Sequence, residues 1–171
     1  MKENFDLALS HVLKSEGLFS DHPDDPGGAT MKGITLAVFR NFKRNIHLTK
    51  DDLRNISDQD VHDIYKQLYW DKIFGDNLPS GVDYATFDAA VNMGVGRASK
   101  LLQKSVGVNP DGVIGKDTIQ AVKEANSESI LESFSVEKEY FYKSLPTFGT
   151  FGKGWMNRVA EVKTIATSMI A

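Results

Sequence analysis

The chain has 171 residues, a net charge of −3, 41% hydrophobic and 25% charged residues, and no cysteine. That length suits one domain with a sizeable core, the mild acidity argues against an electrostatic grip on nucleic acid or anionic lipid, and the missing cysteines exclude disulfides, thiol nucleophiles and cysteine-zinc sites. No apolar run approaches the ~18 residues of a membrane span, and Glu3 and Asp6 interrupt the N-terminal pattern where a signal peptide needs an apolar core, so cytoplasmic synthesis without a signal peptide is expected.

Helical periodicity runs through most of the chain. Phe5, Leu9, Val12 and Leu13 share one face behind an Asn4 cap, and Gly17 follows the predicted helix end. Residues 17–35 break that period with Pro23, Pro26, Gly27, Gly28 and Gly33, which predicts a loop with a small hairpin. Thr35 then caps a helix carrying Leu36, Phe39 and Phe42. Thr49 with Asp52, and Ser57 with Asp60, are spaced as capping boxes, the second framed by Ile56 and Val61 as a hydrophobic staple. Val61, Ile64, Tyr65, Leu68 and Tyr69 form the apolar stripe of the helix that follows.

After a turn at 75–81, residues 83–93 read as a helix with Phe87, Ala90 and Val91 inside. "MGVGR" interrupts it before a helix bearing Leu101, Leu102 and Val106, and "GVNPDGVIG" (107–115) reads as a loop. Ile119 and Val122 mark the next helix, and Ile130 to Leu145 a long one stopped by Pro146. "TFGTFGKG" (147–154) reads as an aromatic-glycine loop, before a last helix with Trp155, Val159, Val162, Ile165 and Met169. About eight helices, one small hairpin and no βαβ alternation predict a mainly α fold.

Glu16 continues the face of Val12 and Leu13 at the end of the first helix. Partial burial and the helix dipole both favour its protonated form there, and a protonated carboxylic acid is what cleavage of a glycosidic bond requires. From helix position alone a solvated terminal glutamate is the commoner case. A glycosidase also needs a second polar centre across the scissile bond. Asp25 and Thr30 follow at spacings that a "DPGG" turn can fold back over the helix end, with Asp24 and Asp21 as competitors for the same place.

The stretch "SEGLFSDHPDDPGGATMKGIT" (15–35) resembles the signature of glycoside hydrolase family 108, found in phage endolysins and bacterial muramidases. Leu18 stands where the family usually repeats glycine, and Phe19 occupies the aromatic position. The likeness continues through "YWDKIFGDNLPSGVDYATFDAAVNMGVGRASKLLQ" (69–103), and from about residue 94 it extends to the family's peptidoglycan-binding region, with "DGVIGKDT" and "FGKGWMNRV" as landmarks. The resemblance implies a lysozyme-like helical fold, with residues 1–93 as the hydrolase region and 94–171 as a peptidoglycan-binding region packed into one unit. It further implies a lysozyme that cleaves the β-1,4 bond between N-acetylmuramic acid and N-acetylglucosamine, with Glu16 as general acid and Asp25 or Asp24 and Thr30 assisting. Neither metal nor other cofactor is expected. The expected partners are peptidoglycan glycan strands, with a holin or a secretion machine for export and the enzyme acting as a monomer. A lytic transglycosylase using the same glutamate, or a non-catalytic wall-binding module, are the alternatives.

Other motifs carry less. "GVIGKDT" (112–118) fails as a phosphate loop, because Asp117 follows the lysine and Pro110 takes the place of the leading glycine. His11, His22, His47 and His62 are scattered without a zinc-binding spacing. Trp70, Tyr65, Tyr69 and Trp155 stand at helical spacing, which core packing explains, although Trp70 is a candidate floor for a sugar face. Phe148 and Phe151 are candidates for a cleft border, and Asn92 and Gln103 for polar contacts to N-acetyl groups.

Overall fold

Local capping chemistry decides where several helices begin. Thr35 accepts the Val38 amide to start α2 (Leu36–Lys43), Thr49 and Asp52 close a full capping box on α3 (Lys50–Arg54), and Ser57 accepts the Asp60 amide to start α4 (Asp58–Tyr65). The structure, a computed structural model, describes residues 4–21 and 28–170, and among them are nine α-helices and one two-stranded sheet. The first helix, α1, is Asn4–Ser15. The sheet pairs β1 (Thr30–Met31) with β2 (Ile34–Thr35) in antiparallel register, Thr30 facing Thr35 and Met31 facing Ile34. Lys32 and Gly33 form the tip with φ of 49° and 77°, the left-handed pair of a type I′ turn, whose twist matches that of its strands. The fold is mainly α and lysozyme-like.

Packing divides the chain into two units, one of Asp6–Leu68 and one of Met1–Phe5 with Tyr69–Ala171. In the first, the hairpin packs on α2 and α3. Ala8, Leu9, Val12, Ile34, Phe39, Leu53, Val61 and Ile64 are buried, so the apolar stripes of four helices and one strand point inward.

The second unit is built on α5 (Val82–Met93), whose residues from Val82 to Ala90 are all buried. A helix buried on every side belongs at the centre of its unit. Around it pack α6 (Val95–Ser105), α8 (Ser127–Lys143) and α9 (Phe148–Ser168). The remaining helix, α7, is Lys116–Glu124. Gly94, at φ 88°, separates α5 from α6 where "MGVGR" predicts a break. Phe5, Trp70 and Phe87 meet as an aromatic trio with centroids 5.2 to 5.8 Å apart. Asn4 donates to both Ser80 and Asp83 at 2.9 Å, tying the N-terminal residues to the start of α5.

One expectation fails. Residues 148–154 are the first two turns of α9 rather than a loop. Phe148 lies across Gly152, and Phe148 and Phe151 both face Trp155, with centroids 6.4 and 5.8 Å away. Ring packing at helical spacing offsets the helix cost of three glycines.

Candidate active site

Glu16 directly follows α1, and its amide donates to the Leu13 carbonyl at 3.2 Å. Its side chain is half-buried. The tip of the hairpin lies against the carboxylate. A Cβ on Gly33 would stand 2.8 Å from Glu16 Oε2 and 2.6 Å from the Tyr65 hydroxyl, so only a glycine lets backbone, acid and phenol meet at this point. Tyr65 donates to the Lys32 carbonyl at 2.7 Å, and Lys32 Nζ reaches Asp58 on α4 at 2.7 Å. The tip is therefore clamped to α4 from both sides. Tyr65, buried at 1% exposure, is the member of this cluster that periodicity alone conceals. Its signal is a hydroxyl placed in an apolar stripe, which demands a polar partner when buried.

Asp24 and Asp25, the candidates for the second carboxylate, lie outside the described residues, as does His22. The flanks of their stretch are described. Ser20 and Thr30 exchange both backbone hydrogen bonds, at 2.9 and 2.8 Å, so the segment between them leaves and returns at one place. Thr30 is half-buried in β1. The competing Asp21 pairs with Lys50 of α3 at 2.9 Å, which commits it to an exposed ion pair. Phe19 lies beneath the Arg54 guanidinium, 4.2 Å from ring centroid to Cζ.

The other candidates fall in the second unit, where they do different work. Trp70 has 0% exposure and donates its indole N–H to Asp76 at 2.9 Å. The expectation that it floors a sugar site is corrected, since a ring with no accessible face has none to offer a sugar. Gln103, at 1% exposure, donates to Asp111, the Val113 carbonyl and Thr118 at 2.8, 3.0 and 3.2 Å and accepts the Gly112 amide at 2.9 Å. It braces the 107–115 loop with its whole amide group, so it too is corrected from a ligand contact to a structural brace. That brace and the Val113 amide hold the Asp111 carboxyl below its ordinary value. Asn92 is exposed at the end of α5, donates to the Asp88 carbonyl at 2.6 Å, and lines a cleft of about 340 Å³ with Arg97, Phe141, Trp155 and Arg158.

Beneath that cleft, Asp88 of α5 accepts from Lys138 of α8 at 2.8 Å and from Arg158 of α9 at 2.6 Å, with Asp88 and Lys138 almost wholly buried. Burial, with Asp88 nearby, pushes the Tyr84 and Tyr142 phenols above their ordinary value, so both stay neutral.

Two family descriptions cover this arrangement: "Glycosyl hydrolase 108" matches residues 9–94 and "Predicted Peptidoglycan domain" matches residues 97–160. The chain belongs to the glycosyl hydrolase 108 family. The solved structure of Brucella abortus SagA is 43% identical and superposes with a TM-score of 0.87, over 99% of this chain and 97% of that one. A short match of 71 residues, 37% identical, relates 41% of the chain to the Microcin-J25 export ATP-binding/permease protein McjD of Escherichia coli, of which it spans 12%. The glycosyl hydrolase 108 segment contains Glu16, Gly33 and Tyr65, and the peptidoglycan segment contains Arg97, Phe141, Trp155 and Arg158. A glycosidase family joined to a peptidoglycan domain makes the chain a peptidoglycan hydrolase.

Proposed function

We propose that the enzyme is an N-acetylmuramidase that lyses bacterial cells by hydrolysing the β-1,4 bond between N-acetylmuramic acid and N-acetylglucosamine. Glu16 is the general acid, giving its proton to the glycosidic oxygen as the bond to the muramic C1 breaks. Water adds at that carbon, and its second proton leaves to a base. Asp25, or Asp24 in its place, stabilises the positive charge that grows on the sugar or orients the water, and Thr30 assists. Residues 1–93 carry the cleavage and residues 94–171 hold the wall polymer.

The observation that supports this reading is the meeting of Glu16 with Gly33 and Tyr65. A half-buried acid at a helix C-terminus is costly for a module that only binds. Tyr65 donates its O–H to the Lys32 carbonyl and so holds the hairpin tip against the acid.

Digestion of purified peptidoglycan by wild type and by Glu16→Gln, with the new ends identified by mass spectrometry, tests it. Muramic reducing ends from wild type, reduced at least a hundredfold in the variant, are expected. Anhydro-muramic ends would make the enzyme a lytic transglycosylase, and an absence of new ends from wild type would leave a binding module.

A further inference from the structure

Two adjoining clefts on the second unit, of about 340 and 300 Å³, are both lined by Arg97 and Phe141 and make up a two-part groove. Its chemistry differs from that of the chain as a whole. The protein carries a net charge of −3, yet this wall presents Arg97, Lys100, Lys104 and Arg158. Glu137 is the acid among the lining residues, and it pairs with Lys104 at 3.2 Å. The Arg97 guanidinium lies over the Phe141 ring with Cζ 4.1 Å from the centroid. That contact occupies the face of the guanidinium and leaves its N–H donors directed outward in the plane, the geometry that forks a carboxylate. Arg158 is held from behind by Asp88, and Trp155 stacks on the buried Tyr142 at 4.9 Å with 22° between their planes and, half-buried itself, forms the apolar ledge beside it. Asn92 adds an exposed amide to the same wall.

Cationic forks beside an aromatic ledge suit a ligand with carboxylates on an otherwise uncharged frame. In peptidoglycan the muramic lactate is bound as an amide, so the carboxylates belong to the stem peptide rather than to the sugars. We propose that this groove binds the carboxylates of the stem peptide, with Arg97 as the residue that reads them. The proposal rests on the reading of the enzyme as a peptidoglycan hydrolase and adds which part of the polymer the second unit grips.

Three ligands separate the contributions: glycan strands carrying stem peptides, strands stripped of peptide, and strands whose peptide carboxylates are amidated. Binding is measured by calorimetry in the Glu16→Gln background, where cleavage does not consume the ligand. A preference of at least tenfold for the intact peptide strands over the other two is expected, and Arg97→Gln should erase that preference. Arg97 is exposed, so its replacement leaves the core intact. Arg97→Lys, which keeps the charge without the fork, should keep only part of the preference. Equal affinity for all three ligands, or an equal loss for all three on Arg97→Gln, would overturn the proposal. Release of muramic ends by wild type without any such preference sinks the groove and spares the hydrolase. A preference without new ends does the reverse.

Discussion

Alanine at position 33 would place its methyl carbon 2.6 Å from the Tyr65 hydroxyl and 2.8 Å from Glu16 Oε2, on a backbone at φ 77°. Neither neighbour can give way cheaply, since Tyr65 is buried and bonded to Lys32 and Glu16 is the proposed acid. The left-handed backbone alone costs a non-glycine residue roughly 1–2 kcal/mol. Gly33→Ala should therefore lower peptidoglycan hydrolysis more than tenfold by reducing-end release, with a smaller loss of stability in urea. Tyr65→Phe tests the same contact from the other side. It removes the donor to the Lys32 carbonyl at a cost of about 1 kcal/mol, and hydrolysis should fall while the helical circular-dichroism signal holds.

At the scale of elements, α9 makes a contrast between neighbouring glycines. Gly149 and Gly154 have open space where a side chain would go, whereas a Cβ on Gly152 would meet the Phe148 ring at 2.6 Å. Gly154→Ala should raise stability by about 0.5–1 kcal/mol, and Gly152→Ala should lower it, both read from thermal melts. This helix start is also where local sequence reading stops short. Thr35, Thr49 and Ser57 announce their helices because a cap acts within three residues, and the Lys32-Gly33 hairpin is legible from its turn formers for the same reason. The turns at 148–154 depend on Phe148, Phe151 and Trp155 packing together, which propensity cannot register against three glycines. The site shows the same division. Glu16 is visible from its place on an apolar face, but Tyr65 and Gly33 acquire their roles when hairpin and helix meet. Gln103 looks like a ligand contact in sequence because nothing local shows that its amide is consumed by partners eight to fifteen residues away, in the 107–115 loop and at the start of α7.

That loop carries a pH dependence. Hydrogen bonds from Gln103 and the Val113 amide lower the Asp111 carboxyl from its ordinary 3.8, so the ionised form stabilises the fold. The contribution is complete above that ordinary value and is lost as pH falls through the lower value of the folded state. The Gly112 and Val113 amide resonances should shift with a midpoint below 3.8, and Asp111→Asn should abolish the transition.

At the scale of the whole molecule, the buried carboxylate of Asp88 answers two cations from helices 50 and 70 residues away. Asp88→Asn would strand the Lys138 ammonium, at 2% exposure, at a cost of about 3–5 kcal/mol in urea unfolding. Adding Lys138→Met should recover part of that loss, because an apolar side chain tolerates the site better than an unpaired charge. Asn4 and Phe5 belong to this unit as well, although sixty-three residues of the other unit separate them from Tyr69. Their bonds to Ser80 and Asp83 and their place beside Trp70 and Phe87 have a consequence for inheritance. A recombination event that copied the chain from residue 69 onward would leave the first turn of α1 behind and open a hole beside Trp70. Gene shuffling would thus tend to pass on the two units together, and trading either alone would require rebuilding that corner of the core.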